Sequence, residues 1–174
     1  MAMNKSPFIP RSLPGRLLSS VVQFLRRIRL RLRLRNRLVL GQNNHFGSQC
    51  YFRPPHQMHL ADDVAFGQEV IVETDLIVGQ YTLISSRVSF VGNDHAFDDP
   101  SSNVFWQGRN PPSRIVLEGD NLIGNGAILI GNLRIGKGAI VGAGSVVTKD
   151  VEPGMIVAGV PARVVRARWK ETPQ

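Results

Sequence analysis

The chain has 174 residues, 43% of them hydrophobic and 17 of them Gly, which suits one domain with a buried core and many turns. Its net charge of +8 is uneven, because residues 1–61 contain ten arginines and Lys5 but no acidic residue. Phe24 is the only aromatic residue within the Arg-rich stretch, so we expect no nucleic acid partner. A single cysteine excludes an internal disulfide framework, and no apolar run reaches the ~20 residues of a bilayer span.

Two patterns occupy the segment 1–38. Apolar residues recur at three- and four-residue spacing after Pro14-Gly15, which predicts an amphipathic helix over about 15–27. Residues 28–35 then alternate Ile or Leu with Arg, which predicts a half-buried strand. We expect this segment to cap the open end of the body that follows. A further hypothesis places the Arg-rich face of residues 1–37 on an anionic membrane.

The basic start bears on location as well. An Arg-rich, acid-free segment is also typical of a mitochondrial transit peptide. The Arg-Leu alternation runs directly into the first repeat, however, with no linker to cleave. We therefore expect a cytoplasmic protein, with a peripheral position at the inner face of the membrane as the alternative.

A six-residue repeat fills most of the remaining chain. Branched aliphatic or Phe residues open successive hexads in three blocks. These openers are Leu40 and Phe46, then Leu60, Phe66, Val72, Val78, Ile84 and Phe90, then Leu117, Ile123, Leu129, Ile135, Val141 and Val147. The fifth residue of each hexad is mostly small, and Cys50 stands at one such position, so we interpret it as a core residue and not a reactive thiol.

A period of six predicts a short flat strand followed by a tight corner. The openers then point inward, and Gly or Asn takes the corner conformations with positive φ. Three such faces make one triangular coil, and stacked coils bury a continuous aliphatic column with parallel strands. The sequence therefore predicts a β-solenoid.

Breaks in the phase of the repeat locate the insertions. The blocks that begin at 40 and 60 differ in phase by two residues, which makes 53–59 a small interruption. The blocks that begin at 60 and 117 differ by three, which makes 93–114 a loop that leaves the column. Loops carried by a rigid scaffold are where functional residues concentrate.

The segments Ile135-Gly-Lys-Gly-Ala-Ile-Val-Gly-Ala-Gly-Ser-Val-Val-Thr-Lys-Asp-Val151 and Ala158-Gly-Val-Pro-Ala-Arg163 closely resemble the hexapeptide-repeat acyltransferases. That family includes sugar and polysaccharide O-acetyltransferases, galactoside and maltose acetyltransferases and serine acetyltransferase. The resemblance covers about 40–168. It implies an all-β fold, a left-handed parallel β-helix, with acetyl-CoA as co-substrate and a homotrimer as the assembly. We expect three parts in the chain: a basic N-terminal helix and capping strand over 1–38, the β-helix over 39–162, and a short C-terminal helix or tail over 163–174.

His95 is the candidate catalytic residue. It stands at the start of the loop insertion, and the resemblance places a general base there. An imidazole with a pKa near ~6.5 can take the acceptor's hydroxyl proton during attack on the thioester and then protonate the leaving thiolate. The alternative is a loop histidine that only makes local hydrogen bonds.

Four residues near His95 are candidates for acceptor binding. Asp94 and Asp98 would orient the imidazole or bind acceptor hydroxyls, although acids beside Pro100 also suit Asx-turns. Asn93 is a further acceptor ligand. Trp106 would offer an apolar face to a sugar ring, or would anchor its own loop.

Six residues match the positions that hold the coenzyme in the family. They are Asn125, Ala143, Thr148, Lys149, Arg163 and Arg166. The resemblance implies that the first four line a groove for the pantetheine arm, and that the two arginines reach the phosphates. The alternative interpretation makes Lys149 a solvated corner charge and places the arginines on a basic helix face.

His56 and His59 raise the question of a metal, because this fold also carries zinc-dependent carbonic anhydrases. A zinc site needs three converging imidazoles or equivalent ligands, and no further His pair stands near His95 in the sequence. We therefore expect no metal.

The resulting prediction is an acetyl-CoA-dependent O-acetyltransferase. Its acceptor would be a sugar hydroxyl in cell-surface polysaccharide or lipopolysaccharide biosynthesis, because the long 93–114 loop and single-domain layout resemble those members. Serine acetyltransferases have a sizeable helical N-terminal domain, for which segment 1–39 leaves no room. The alternatives are an N-acetyltransferase of a nucleotide-linked amino sugar and a non-catalytic β-solenoid used for assembly.

Overall fold

The computed structural model describes residues 13–92 and 94–169 and contains two compact units that divide after Arg35. Within the described part of the first unit, residues 13–34 form helix α1 (Leu13–Leu34). A short 3-10 helix, Arg35–Arg37, spans this division of the chain. No helix of the described residues is long and apolar enough to cross a membrane.

Helix α1 corrects the strand expected at 28–35, because the helix continues without interruption through that segment. Alternation of Leu with Arg also satisfies a helix: Ile28 and Leu32 are four residues apart and so share one face, as do Leu30 and Leu34. Leu and Arg are strong helix formers, whereas this stretch lacks the β-branched residues that favour strands after Ile28. Whether α1 caps the solenoid stays a prediction.

The second unit is built from short strands. In chain order they are β1 (Leu38–Leu40), β2 (His45–Phe46), β3 (Tyr51–Phe52), β4 (Met58–Leu60), β5 (Ala65–Phe66), β6 (Ile71–Val72), β7 (Asp75–Val78), β8 (Leu83–Ile84), β9 (Ser89–Val91), β10 (Arg114–Leu117), β11 (Leu122–Ile123), β12 (Ile128–Ile130), β13 (Leu133–Ile135), β14 (Ile140–Val141), β15 (Val146–Val147), β16 (Met155–Gly159) and β17 (Ala162–Ala167).

These strands form three sheets, one for each face of a triangular coil, as the six-residue period predicts. Sheet A contains β1, β4, β7, β10 and β13, sheet B contains β2, β5, β8, β11, β14, β16 and β17, and sheet C contains β3, β6, β9, β12 and β15. Up to β15, every third strand of the chain therefore stacks on the last. The pairing is parallel until β17, which runs antiparallel to β16. The predicted parallel β-solenoid is confirmed.

The strand register departs from an even spacing at two places. Leu76 pairs with Met58, and Leu133 pairs with Ile115, so an undisturbed coil takes three hexads. Met58 pairs with Leu38, which adds the two residues expected for 53–59. Ile115 pairs with Leu76, and this interval is longer than a coil because it includes the loop at 93–114.

The column inside the coils is the predicted one. Each opener from Leu60 to Phe90 and from Leu117 to Val147 is at most 3% exposed. The fifth residues of those hexads are also buried, at 5% exposure or less, except for Asp94 in the hexad that runs into the loop. Burial of a large aliphatic side chain contributes about 1.5–3 kcal/mol, so this column stabilises every coil against its neighbours.

The corners differ in part from expectation. The fourth residue of most hexads adopts positive φ. In the first hexad it is Asn43, as expected, but in later ones it is Gln49, Asp63, Glu69, Tyr81 or Arg87. A non-Gly residue in this region costs about 1 kcal/mol or more. The amides of Asp63, Glu69 and Arg87 donate to carbonyls of the coil below, as Arg87 does to Gln68 at 2.8 Å, which holds these corners in place.

The C-terminal segment corrects a second expectation. Residues 162–167 form strand β17 and not a helix. The segment then crosses the corner between sheets A and B, where the Arg168 guanidinium donates to the Asp120 carboxylate at 2.9 Å and to the Gly138 carbonyl at 3.1 Å. Trp169 lies over Gly138 and Gly154, so closely that a Cβ on either glycine would come within 2.5 Å of the indole.

Candidate active site

The loop at 93–114 leaves the edge between sheets C and A, and its neck is tightly closed. Ser113 donates its hydroxyl to the Gly92 carbonyl at 2.8 Å. A Cβ at Gly92 would lie 2.4 Å from that same hydroxyl oxygen, and Gly92 has φ of +147°, so only glycine fits there.

His95 lies just beyond this neck on a two-stranded bridge. It pairs antiparallel with Arg109, and the Asn110 side chain donates to the His95 carbonyl at 3.3 Å. The Nδ1 atom of the His95 ring is buried and has no hydrogen-bond partner among the residues that the structure describes. These contacts hold the His95 backbone, while the ring nitrogen Nδ1 has no hydrogen-bond partner among the described residues.

The acidic residues of the loop act on its backbone. Asp94 accepts the backbone N–H of His95 at 2.7 Å, so this carboxylate bonds the main chain and not the ring. Asp98 is exposed. Asn93 lies outside the described residues.

Asp99 and Gln107 hold the middle of the loop together, and neither stood among the predicted residues. Asp99 accepts the hydroxyl and the amide of Ser101 at 2.6 and 2.9 Å, and these two bonds lower the pKa of its carboxyl. The Gln107 side chain accepts the Asp99 amide at 3.0 Å and donates to the Ser102 carbonyl at 2.7 Å. The short spacing of Asp99 and Ser101 was a signal for such a turn.

Trp106 ends a short 3-10 helix, Val104–Trp106. Its side chain is 74% exposed and packs edge-on against Phe105, with ring centroids 4.7 Å apart. Phe105 is equally exposed. The pair does not anchor the loop by burial, so its apolar faces are available to a sugar or to another chain.

The six predicted coenzyme residues occupy three places. Asn125 and Ala143 lie one above the other on the edge between sheets B and C, where the Gly144 amide donates to the Asn125 carbonyl at 2.8 Å. The side chain of Asn125 accepts Arg87 at 3.1 Å, which adds an arginine to this edge that sequence reasoning missed.

Thr148 and Lys149 lie on the other edge of sheet C, which is the edge that carries the loop. Both side chains are exposed. Arg163 and Arg166 lie on β17, opposite Ala158 and Ile156. The structure therefore brings Thr148 and Lys149 to the loop edge but places Asn125 and Ala143 across sheet C from them.

The two histidines considered for a metal do not converge. The His56 Nδ1 atom lies 3.2 Å from the Asp75 carboxylate, whereas His59 projects from the middle of β4 on sheet A, where the flanking Met58 and Leu60 are buried. Across residues 13–92 and 94–169, no group of three potential metal ligands occurs.

No family model matches the chain. A chloramphenicol acetyltransferase from Klebsiella aerogenes is 32% identical over 151 residues, which cover 76% of this chain and 71% of that protein. The chain belongs to the hexapeptide-repeat acetyltransferases. The resemblance inferred from 135–163 is thereby confirmed.

Solved structures show the same fold for this acetyltransferase. A hexapeptide-repeat-containing acetyltransferase from Vibrio cholerae aligns with a TM-score of 0.67 and 23% identity, over 92% of this chain and 96% of that one. A variant of AntD, an N-acyltransferase from Bacillus cereus, in complex with dTDP-4-amino-4,6-dideoxyglucose and coenzyme A, aligns with a TM-score of 0.68 and 21% identity, over 78% of this chain and 76% of that one.

Proposed function

We propose that this acetyltransferase moves an acetyl group from acetyl-CoA to a sugar hydroxyl in cell-surface polysaccharide or lipopolysaccharide biosynthesis, with His95 as general base. The observation that supports the role of His95 is its buried Nδ1 atom, which has no hydrogen-bond partner among residues 13–92 and 94–169, at a loop neck where His95 pairs with Arg109. A ring nitrogen that makes no protein hydrogen bond is free to take part in proton transfer with a bound acceptor. The acceptor oxygen attacks the thioester carbonyl, and the leaving thiolate then takes the proton from the imidazolium.

The test of this role is release of free thiol from acetyl-CoA in the presence of sugar acceptors. His95→Ala should lower kcat by about 10²–10⁴-fold without weakening coenzyme A binding. His59→Ala is the matched control, because that histidine lies on the outer face of sheet A. If no sugar or amine stimulates thiol release and His95→Ala changes nothing, the enzymatic proposal fails.

An N-acetyltransferase of a nucleotide-linked amino sugar is the second candidate. The solved AntD complex with an amino sugar nucleotide and coenzyme A favours it. The product distinguishes the two reactions, because an ester is cleaved by mild hydroxylamine and an amide is not.

The proposed assembly is a homotrimer, supported by where the coenzyme residues lie. Ala143 and Lys149 are one hexad apart across sheet C, a path of up to about 20 Å in extended chain. One narrow pantetheine arm that runs along the stack of coils reaches one of these edges and not both. A second copy that sets its Asn125 edge against the Lys149 edge would complete the groove, and the exposed Phe105 and Trp106 provide apolar contact area.

Subunit complementation tests this arrangement. His95→Ala disables the loop edge, and Ala143→Glu blocks the other edge with bulk and negative charge. When the two inactive variants are unfolded and refolded together, random trimers should recover about a quarter of wild-type activity, because each site draws on two copies. Absence of recovery, with trimers present, shows that one chain supplies both edges.

Helix α1 supports the proposed contact with an anionic membrane. Five of its exposed apolar side chains form a stripe at heptad spacing, and Phe24 lies at the border of that stripe. The stripe consists of Leu18, Val21, Leu25, Ile28 and Leu32. Arginines at 26, 27, 29, 31 and 33 lie around it, and the helix contains no acidic residue. Copies of this helix packed together would bring arginine against arginine, so anionic lipid is the better partner for the stripe.

Vesicle flotation of the full-length protein tests this contact. Vesicles with a quarter phosphatidylglycerol should bind the protein at low salt, whereas phosphatidylcholine vesicles should not. Leu25→Glu should abolish binding, and Val165→Glu, at an exposed position on β17, should leave it unchanged. Equal binding by both variants contradicts the proposal.

A further inference from the structure

An open groove of about 580 Å³ runs along the edge that carries the loop. His56 and Asp75 line one end, Arg114 lines the middle, and Asp150 lines the far end. These residues occupy equivalent corners of successive coils, since Arg114 pairs in parallel register with Asp75. With coils about 4.8 Å apart, the groove spans the stack from the interruption at 53–59 to the corner beside Lys149.

Asp75 and His56 form a hydrogen-bonded pair in this groove. Asp75 is 4% exposed, and its Oδ1 accepts the amides of His56 and Gln57 at 2.8 and 2.9 Å. Burial raises the pKa of Asp75, but the two amide bonds and the His56 ring outweigh it and hold that pKa below its ordinary value. The carboxylate is therefore ionised, so the His56 Nδ1 atom, 3.2 Å away, must carry the hydrogen, and Nε2 points away from the pair.

The other carboxylates and one of the arginines beside the groove are also engaged. Arg134 pairs with Glu118, with Nε donating to Oε1 at 2.6 Å. Asp150 accepts the backbone amide of Arg134 at 2.8 Å. The guanidinium of Arg114 is different, because it is exposed and has no partner among residues 13–92 and 94–169.

Arg114 is nevertheless fixed at its backbone. Its amide donates to the Asn132 side chain at 2.9 Å, and its carbonyl lies within strand β10. A guanidinium offers a planar fork that matches the two oxygens of a carboxylate or phosphate. The groove therefore presents the Arg114 guanidinium as a cation for a bound anion, and the exposed ring of His56 lies further along the same edge.

This groove and His95 share the segment that closes the loop. Pro112 lines the groove, and Arg109 pairs with His95. The chain from Arg109 to Arg114 is short, so the two sites are at most about 17 Å apart along that segment. An acceptor whose hydroxyl meets His95 can thus place an acidic group at Arg114 if it has the length of a glycosyl phosphate or a short acidic glycan.

We propose that this groove binds an anionic group of the acceptor, a carboxylate or a phosphate, through Arg114 and His56. The inference rests on the proposed function, because the acceptor is taken to be a carbohydrate. It restricts the acceptor to acidic glycans or sugar phosphates and predicts that neutral sugars are poor substrates.

Calorimetry of the full-length protein saturated with coenzyme A tests the proposal, because the coenzyme then occupies the phosphate sites of the donor. The probes are glucose 1-phosphate, glucuronate and glucose. At least one of the two acidic probes should bind about 10-fold more tightly than glucose, and the preferred one identifies phosphate or carboxylate as the group. Arg114→Met should weaken that binding about 10–100-fold, and His56→Gln should weaken it less.

Arg134→Met is the matched control, since this arginine lines the same groove but is paired with Glu118. It should leave the affinity of the acidic probe within about 2-fold. An equal loss in both arginine variants, or no preference for either acidic probe, overturns the inference. Coenzyme A affinity reports separately on the proposed function: if the coenzyme binds and the probes fail, only the anionic subsite is wrong.

Discussion

Replacing Asn121 by Ala tests how the coils are joined at their corners. Asn121 stands at the fifth position of a hexad, where the preceding and following coils have Thr82 and Ala139, and it is 2% exposed. Its Oδ1 accepts the Gly119 amide at 2.9 Å, and its Nδ2 donates to the carbonyls of Gly136 and Ala139 at 2.8 and 3.2 Å. One side chain therefore serves three backbone groups in two coils.

The cost of the substitution follows from which groups lose their only partner. The Gly136 carbonyl still accepts the Ala139 amide, and the Ala139 carbonyl still accepts the Leu122 amide. The Gly119 amide has no such second partner among the described residues and is left unsatisfied in a buried position, which costs about 1–3 kcal/mol. With the smaller loss at the two carbonyls, Asn121→Ala should lower the free energy of unfolding by about 3 kcal/mol.

Urea denaturation at matched protein concentration measures this loss, since assembly makes stability depend on concentration. Gln80→Ala is the control, because Gln80 is exposed and its side chain reaches Asp63 only at 3.5 Å; its effect should stay within about 0.5 kcal/mol. Asn121→Asp keeps the acceptor but turns a carboxylate towards two carbonyls, which raises its pKa on folding. This variant should therefore be least stable at neutral pH and recover as the pH falls. A loss of stability below about 0.5 kcal/mol for Asn121→Ala would refute the claim that the Gly119 amide loses its hydrogen-bond partner in a buried position.

Three further substitutions probe other parts of the fold. Asp75→Asn keeps the amide bonds at Oδ1 but loses the charge, and urea denaturation at pH 7 should show a loss of stability of about 1 kcal/mol. Because the folded pKa of Asp75 lies below 3.8, the difference between the variant and the wild type should fade as the pH falls through that folded pKa. Gly138→Ala should displace the Trp169 indole, which would lie 2.5 Å from the new Cβ, and tryptophan fluorescence should shift; no shift contradicts the packing described. Ile135→Ala, at a fully buried opener, should cost about 2–5 kcal/mol, whereas Val39→Ala, 56% exposed, should cost under about 1 kcal/mol by thermal or urea unfolding.

The solenoid could be derived from the sequence because its period is visible in buried side chains alone. Openers such as Leu60 and Ile135 are buried for the same geometric reason in every coil, so the pattern survives changes of residue type. The phase breaks carry equally direct information, since an insertion shifts every later opener. Both 53–59 and 93–114 follow from that arithmetic, and the register of Met58 and Ile115 agrees with it.

The two ends of the chain were predicted less well because they lack that period. Over 28–34, the spacing of two residues between Leu side chains is compatible with a strand and with two faces of a helix, and propensity decides for the helix. At the other end, Val164 and Val165 favour a strand, and pairing with β16 satisfies the backbone of β17. The positive charge of Arg163 and Arg166 does not indicate whether these residues lie on a helix or on a strand.

The site was only partly predictable, because residues close in the sequence of a solenoid lie on different faces. Asn125 and Ala143 are three hexads apart, which is one full coil, and they share an edge. Ala143 and Lys149 are a single hexad apart, which is one face, and they lie on different edges. Since the backbone of sheet C fixes that separation, no change of side-chain rotamer within one chain can bring the two sets together. Either the donor uses one edge alone, or a second copy supplies the other, and recovery of activity by the paired His95→Ala and Ala143→Glu variants decides between these two arrangements.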